Sequence, residues 1–555
     1  MAHARVFTRR EIESLIAAGD IIVITQNTVL RLNAWKDKHP GGSLVLQHMI
    51  GRDATHEINI SHSPEIVKSM RHYRIGRVDG VWENLIPPIQ GGVYHLHAKE
   101  EHTHKPTSSP HDSAYESDGS SDCVDITELE WENIKEVSKN MPHRTNAGVQ
   151  RHNTERDAQS LMSPEDYTTA EMQQALENDL AKYPSLDAAT QGDIAAKFQL
   201  LHQRVRDEGF YDCRYVEYYK EMARYATLFA LFAFCLSRSW YFVSACFLGL
   251  FWHQIMFSAH DAGHRGITHN FTKDTLIGIF IADFCCGLSI GWWKSSHNVH
   301  HLVPNLPEHD PDIQNVPLFA TSPSFFNSVK SSYYGTYFPW DAAAGVAIKY
   351  QKYTYYPVMA LARFNLYVLS WLHLAKPHAR AKGTTWWTWY VELTGISFYT
   401  FWYFYVILYR SIDTWQSRAI FLLTSHLVTM PLHVQITLSH WGTSTSDLGP
   451  AESFAQRQLR TTMDVECPKW LDFIHGGLQF QAVHHLFPRV PRHNLRRLQE
   501  LVKEFCAETK IEYLIHGFAE GNCVVLNKLQ DVANQAKILA ACQTYMAETG
   551  HYDLE

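Results

Sequence analysis

The sequence predicts a compact N-terminal domain, a polar linker, and an all-α membrane domain in which four crossing helices carry a metal-binding cap on one face. Three observations predict it. The 555 residues average to a mean hydropathy of −0.24, which hides an apolar middle between polar ends. That middle contains apolar runs of about 20 residues, the length that crosses a hydrocarbon core. Three tight histidine clusters adjoin those runs: His260-Asp-Ala-Gly-His264, His297-Asn-Val-His300-His301 and Gln481-Ala-Val-His484-His485.

Residues 1–80 form the first domain. They contain Trp35-Lys-Asp-Lys-His39-Pro-Gly-Gly42, then Gly51-Arg-Asp-Ala-Thr55, then Ile60-Ser-His62-Ser63. By itself His-Pro-Gly-Gly reads as a tight turn that caps a helix through its glycines. Together the three stretches resemble the cytochrome b5 heme-binding domain, over about residues 5 to 79. The resemblance implies an α+β fold that holds heme b between His39 and a second axial histidine, His62. His72, in Met70-Arg-His-Tyr73, is the rival for that second position, but it falls in the stretch that closes the family's domain. Two axial imidazoles fill both open positions on a heme iron and leave it electron transfer as its chemistry.

Residues 81–160 lose apolar periodicity and gather Ser, Gly, Asp and His, a composition that cannot bury enough surface to order itself. His95, His97, His102, His104 and His111 belong to this disordered linker and read as solvated rather than metal-bound. Residues 161–213 form an amphipathic helical region. Ser163 is an N-cap, Pro164 takes the first helical position, and Glu165 and Asp166 follow in the first turn. A second helix from about 186 to 207 places Ile194, Phe198, Leu201 and Val205 on one face and ends at Gly209.

Residues 214–555 form the membrane domain. Apolar runs at about 222–238 and 240–259, joined by a turn at 237–240, predict a helical hairpin across the bilayer. The segment 276–290 is shorter and is interrupted by Asp283, which fits a re-entrant or interfacial element. Two further spans lie at about 386–409 and 416–438, with Trp and Tyr at their edges. The segment 354–374 is apolar enough to cross but contains Arg363 and Asn365. A crossing there would put His484 and His485 on the opposite face from the first two clusters, which shared metal ligation forbids. It is therefore assigned to the interface, which leaves four spans with every cluster and both termini on one face. The remainder, about 488–555, is polar and mixed helical.

Within the clusters, His260 and His264 are spaced i, i+4, as are His297 and His301, so each pair leaves one helix face, with His300 alongside. One such pair alone is more often packing than ligation. Three clusters beside membrane spans point to metal, and so large an imidazole set exceeds the about four ligands of one tetrahedral zinc. Two ions fit better, and in a membrane enzyme redox-active iron is the simplest choice.

The order HDxGH, HNxHH, QxxHH behind a cytochrome b5 domain resembles the membrane-bound front-end lipid desaturases. The Leu186-Asp-Ala-Ala-Thr region and the HNVHH cluster are most similar to the fungal branch that acts at Δ8 of the sphingoid long-chain base of ceramide. This resemblance implies a cytosolic di-iron cap in which His260, His264, His297, His300, His301, His484 and His485 hold two non-heme Fe ions. Gln481 then stands in the catalytic site near the metal rather than on it. His440, in Leu438-Ser-His-Trp441 at the end of the fourth span, is the best candidate for a further ligand, ahead of the deeper His433 and His426. Asp261, Asn298, Asp310 and Asp312 are candidates to orient imidazoles. Trp292, Trp293 and Phe480 are candidates to line a tunnel for an alkyl chain.

The implied reaction removes two hydrogens from an unactivated methylene pair with O2, which needs cofactor chemistry rather than side-chain acids and bases. The implied product carries a trans double bond in ceramide or another long-chain lipid. NADH-cytochrome b5 reductase is the implied electron source, and the endoplasmic reticulum membrane the implied site, with both termini and the active site cytosolic. The alternatives are a front-end fatty acyl desaturase, a b5-fused lipid hydroxylase, and a membrane-tethered electron carrier with structural histidines.

A net charge of −8 without a basic face argues against nucleic acid. Ten cysteines include no C-x-x-C pair, and the adjacent Cys285 and Cys286 are poorly placed to bridge, so a reduced, cytosol-facing protein is expected. Residues 1–10 hold no apolar core of a signal peptide.

Overall fold

A computed structural model describes residues 5–96, 163–376 and 385–549. The N-terminal domain is α+β, as expected. Its sheet has the order β1-β4-β3-β2, with β1 (Val6–Phe7) parallel to β4 (Arg74–Val78) and the other pairs antiparallel. The hairpin between β2 (Ile22–Thr25) and β3 (Thr28–Arg31) turns on Gln26 and Asn27, both at positive φ, a geometry that matches strand twist. A reciprocal capping box between Thr8 and Glu11 starts the helix Arg9–Ala17, which buries Ile12 and Ile16 on the sheet. The short helices Ser43–Gln47, Thr55–Ser61 and Pro64–Ser69 stand around a cleft.

The domain's ordered chain runs past the expected boundary at 80. Residues 81–96 fold back onto it: Trp82 Nε1 donates to Gly51 O at 2.9 Å, and Leu85 is buried against the same glycine. Composition concealed this because two apolar contacts suffice to hold the segment. The rest of the linker lies outside the described residues.

Order at 163 begins as read, with Ser163 capping Pro164–Lys182 through Asp166 N. The helix Ala188–Asp207 buries Ile194, Phe198, Leu201 and Val205, and Gly209 ends it at φ 69°. Phe198 stacks on Phe487 at 5.5 Å, which docks this helix just beyond the third histidine cluster.

Among the described residues, four helices are long and apolar enough to cross a membrane: Tyr241–Gly263, Ala342–Ala375, Thr388–Arg410 and Trp415–Leu438. The number matches the expectation, but the membership differs. Tyr215–Ser237, expected as the first span, carries Glu217, Lys220, Glu221 and Arg224 in its first half. One of those charges serves the polar cap, where Glu221 binds Arg492 and His493. Conversely Ala342–Ala375, expected at the interface, passes because its Arg363 is a single buried charge in an apolar helix.

The segment around 276–290 is a broken element, as expected: Phe271–Cys285 and Ile290–Leu302 meet at a bend of 116°. Carbonyls freed by such a bend in apolar surroundings need donors. Trp402 Nε1 donates to Phe284 O at 3.0 Å, Trp252 Nε1 to Cys285 O at 2.9 Å, and Arg363 Nη2 to Cys286 O at 2.8 Å. Gly287 sits at φ 71° with Tyr399 Cδ1 2.2 Å from where a Cβ would stand, so only glycine fits. The bend turns the second histidine cluster back toward the first.

The C-terminal region is less polar than its composition suggests. Phe518–Thr549 buries Val525, Leu529, Val532, Ala536 and Leu539 against the membrane domain. A two-stranded parallel pair, Asp464–Glu466 with Ile515–Gly517, adds a little β structure to the expected all-α domain.

Candidate functional site

Four segments bring the histidines together. His260 ends the helix Tyr241–Gly263 and His264 caps it; Ile290–Leu302 carries His297, His300 and His301; Gln481–Leu486 carries His484 and His485; His440 follows Met430–Leu438. Neighbours on a helix point about 100° apart. Accordingly His484 joins one group and His485 another.

The first group is His260, His264, His297 and His484, and the second is His300, His440 and His485; within each, the nitrogens that could hold a metal lie within 4.8 Å of one another. His301 stands between the two, its ring 4.2 Å from His485 and 4.5 Å from His297. Buried polar atoms in proteins are nearly always paired. Here Nε2 of His260, His264, His484 and His485 is buried without a hydrogen-bond partner. Converging, unpaired, buried nitrogens fit two metal ions.

The surroundings prepare these rings as ligands, which must be neutral. Burial first, and neighbouring imidazoles second, hold His264, His297, His301, His484 and His485 well below the usual imidazole range. Burial likewise takes His440 down to about 3. His300 is the exception: burial opposes its charge, but Asp310 and Asp312 outweigh burial and raise it to about 9. Asp310 Oδ2 lies 2.8 Å from His300 Nδ1 and turns Nε2 toward His440, 3.3 Å away. Such carboxylate–imidazole pairs fix ring orientation at metal sites.

Asp310 and Asp312 thus sit where expected. Asp261 binds Tyr218 and Arg492, with its carboxylate 3.9 Å from His260 Nδ1. Asn298 faces the other way, 3.5 Å from where a Cβ on Gly41 would stand, and orients no ring. Gln481 is buried beside His260 and His484 in a small cavity with Arg492. His426 stacks on Phe364 at 4.4 Å and bonds Tyr367, and neither it nor His433 joins a metal group.

The expected tunnel-lining aromatics do other work. Trp293 stacks on His297 at 4.3 Å and fills the space beside Gly263, so it buttresses the first group. Phe480 is buried in a side-chain core under Arg496, and Trp292 is half-buried. Two partners escaped the sequence: Gln458 Oε1, 2.9 Å from His485 Nδ1, and Thr461 O, 3.3 Å from His440 Nδ1. No local spacing could have flagged them, because both come from a helix end distant in sequence.

In the N-terminal domain the rings of His39 and His62 face each other at 6.0 Å. Two imidazoles on opposite sides of one metal, each with a metal–nitrogen bond of about 2 Å, put their centroids about 6 Å apart. His39 Nδ1 meets Gly42 O at 3.2 Å and His62 Nδ1 meets Ile58 O at 3.0 Å, which leaves both Nε2 atoms free to bind. His72 is exposed. Between the rings opens a cleft of about 310 Å³, and His264 of the first group and His301 are among the residues that line it.

Residues 237–516 match the fatty acid desaturase family, and residues 8–79 match the cytochrome b5-like heme/steroid binding domain. The chain is 47% identical over 551 residues to a Delta 8-(E)-sphingolipid desaturase of Emericella nidulans, covering 98% of this chain and 97% of that one. It is 46% identical over 541 residues to the Delta 8-(E)-sphingolipid desaturase of Komagataella phaffii, covering 97% and 95%. A relative of the same description from Kluyveromyces lactis is 43% identical over 546 residues, covering 98% and 95%. Near-complete coverage of both parts means that the chain belongs to the fatty acid desaturase family, among the members with a cytochrome b5-like domain at the N-terminus.

Proposed function

We propose that the chain is a sphingolipid desaturase that places an E double bond at C8 of the long-chain base of ceramide, using O2 and electrons relayed through its own heme domain. One observation carries the redox part of this reading: His264 and His301 belong both to the histidine nest and to the wall of the cleft between His39 and His62. The full-length likeness to the fungal relatives supports the choice of substrate.

His39 and His62 would hold heme b through Nε2. His260, His264, His297 and His484 would hold one iron, and His300, His440 and His485 the other, with His301 able to serve either. Bound iron supplies the oxygen chemistry that acids and bases of side chains cannot. The chain's part is positional. Asp310 accepts the proton on His300 Nδ1, Gln458 accepts that on His485 Nδ1, and each leaves the opposite nitrogen to the metal. Trp293 covers the first group and excludes water. Gln481, beside His260 and His484, would stand near the metal rather than on it.

The test is lipid analysis of a host that lacks Δ8 unsaturation, expressing the full chain and supplied with ceramide. The expected product is ceramide with an E double bond at C8 of the long-chain base. Unsaturation in the acyl chain would make the enzyme an acyl desaturase, and an added hydroxyl would make it a hydroxylase.

The site would face the cytosol from the endoplasmic reticulum membrane, where NADH-cytochrome b5 reductase could feed the heme. Free thiols throughout the described residues suit that reducing side. Because His301 and His440 meet at one site, the three apolar helices between them cross an even number of times. Ala342–Ala375, with Pro357 inside it and a largely exposed apolar surface, is the one assigned to the interface, and Tyr215–Ser237 then crosses with Tyr241–Gly263 as a hairpin, since Glu221 and His260 both lie beside Arg492. A single cysteine at Lys376, exposed at the C-terminal end of that helix, should react with a membrane-impermeant thiol reagent in sealed vesicles with the cytosolic face outward. Labelling only after permeabilisation would place that segment across the bilayer.

A further inference from the structure

The cleft between His39 and His62 has two unlike walls. The heme domain's side includes the apolar Leu32, Val45, Leu46, Met49 and Ile58. The membrane domain's side includes Arg265, Lys294 and Arg489. One cation accompanies each histidine cluster: Arg265 follows His264, Lys294 precedes His297, and Arg489 follows His485. The heme domain's own share of the cleft wall includes no Lys or Arg, and its one acid there is Glu57.

These three cations are half-buried, and among the described residues none of them forms an ion pair. Their recorded partners are rings: Arg265 lies 5.0 Å and Lys294 5.3 Å from Phe271, and Arg489 lies 5.8 Å from Tyr211. Arg265 and Arg489 are close enough to repel one another. Asp274 near Arg265 is held by Thr268 through both its backbone N–H and its hydroxyl, Glu392 near Lys294 is held by Ser289 and Gly291, and Glu65 is the further acid near Arg489. Arg265 also takes φ 60°, a left-handed conformation that a Cβ disfavours. Gathering like charges out of water is unfavourable unless an anion joins them.

Heme b has an apolar ring with two carboxylates on one edge. Its ring matches the apolar wall, and its carboxylates match the three cations of the other. We infer that Arg265, Lys294 and Arg489 receive the two heme propionates, so that the cofactor itself fastens the heme domain to the membrane domain with its edge toward His264 and His301. This rests on the reading of His39 and His62 as heme ligands. The clamp makes docking depend on heme being present and turns a tethered donor into a fixed one.

The test uses the full chain, loaded with heme and iron, in lipid nanodiscs. The variant Arg265→Gln/Lys294→Met/Arg489→Gln should keep its Soret band, because His39 and His62 are untouched, and should keep its non-heme iron. Its heme midpoint potential should move negative, since cations beside a heme favour the reduced state. Reoxidation of the heme in the presence of ceramide and O2 should slow about tenfold or more as a docked donor becomes merely tethered. Wild-type chain reconstituted with heme dimethyl ester should show a similar slowing, and the ester should add nothing to the triple variant, because both changes remove one interaction. An unchanged potential and reoxidation rate in the triple variant, or slowing that simply adds, would overturn the inference. Should the triple variant lose iron, Lys294→Met and Arg489→Gln are measured singly, and an unchanged potential in both overturns it equally. Survival of the Soret band in His39→Ala would strike the heme assignment instead.

Discussion

Replacing His484 and His485 together by alanine is expected to reduce desaturation to background while leaving the heme spectrum intact. The two residues are adjacent in the chain yet belong to different groups: His484 stands with His260, His264 and His297, and His485 with His300 and His440. One double substitution therefore removes a candidate ligand from each group. Both side chains are buried, so alanine also opens space in the short helix Gln481–Leu486. His484→Gln and His485→Gln, which retain most of the volume, separate ligation from packing. Iron content of the purified variants is the readout, and non-heme iron should fall in both pairs. Retention of full iron and activity in the glutamine pair would remove His484 and His485 from the ligand set.

The second large effect concerns electron supply. His39→Ala or His62→Ala should abolish the heme spectrum and reduce NADH-driven turnover to background, yet leave the non-heme iron bound. The reason is spatial: the two rings face one another across a cleft of the N-terminal domain, while the iron candidates are held by the membrane domain. Separate cytochrome b5 should restore only part of the rate, because a free donor lacks the local concentration of a fused one. A heme spectrum unchanged in His62→Ala would return the second axial position to His72, whose side chain is exposed.

Much of this arrangement was legible because it is local. The i, i+4 spacing of His260 and His264, the HNVHH cluster, the cap at Ser163 and the face formed by Ile194, Phe198, Leu201 and Val205 all follow from helical geometry. Asp310 lies close enough in sequence to His300 to be suspected. Gln458 and Thr461 do not, and they orient His485 and His440 only through tertiary packing. Trp293 was visible as an aromatic beside a cluster, but sequence could not tell a tunnel wall from a ring stacked on His297. Hydropathy likewise could not show that Arg363 satisfies a bent backbone at Cys286, or that Glu221 in Tyr215–Ser237 meets Arg492 and His493 in the cap. Buried charge is ambiguous in a membrane sequence until its partner is seen.

On the proposed function, one chain would hold three redox irons, one in the heme domain and two in the histidine nest. The most direct measurement is the ratio of total iron to heme in the full-length protein purified without chelator. The account predicts three irons per heme, with the heme-independent share lost in the His484→Ala/His485→Ala variant. One iron per heme in a preparation that still desaturates ceramide would contradict it and leave the histidine nest a structural feature.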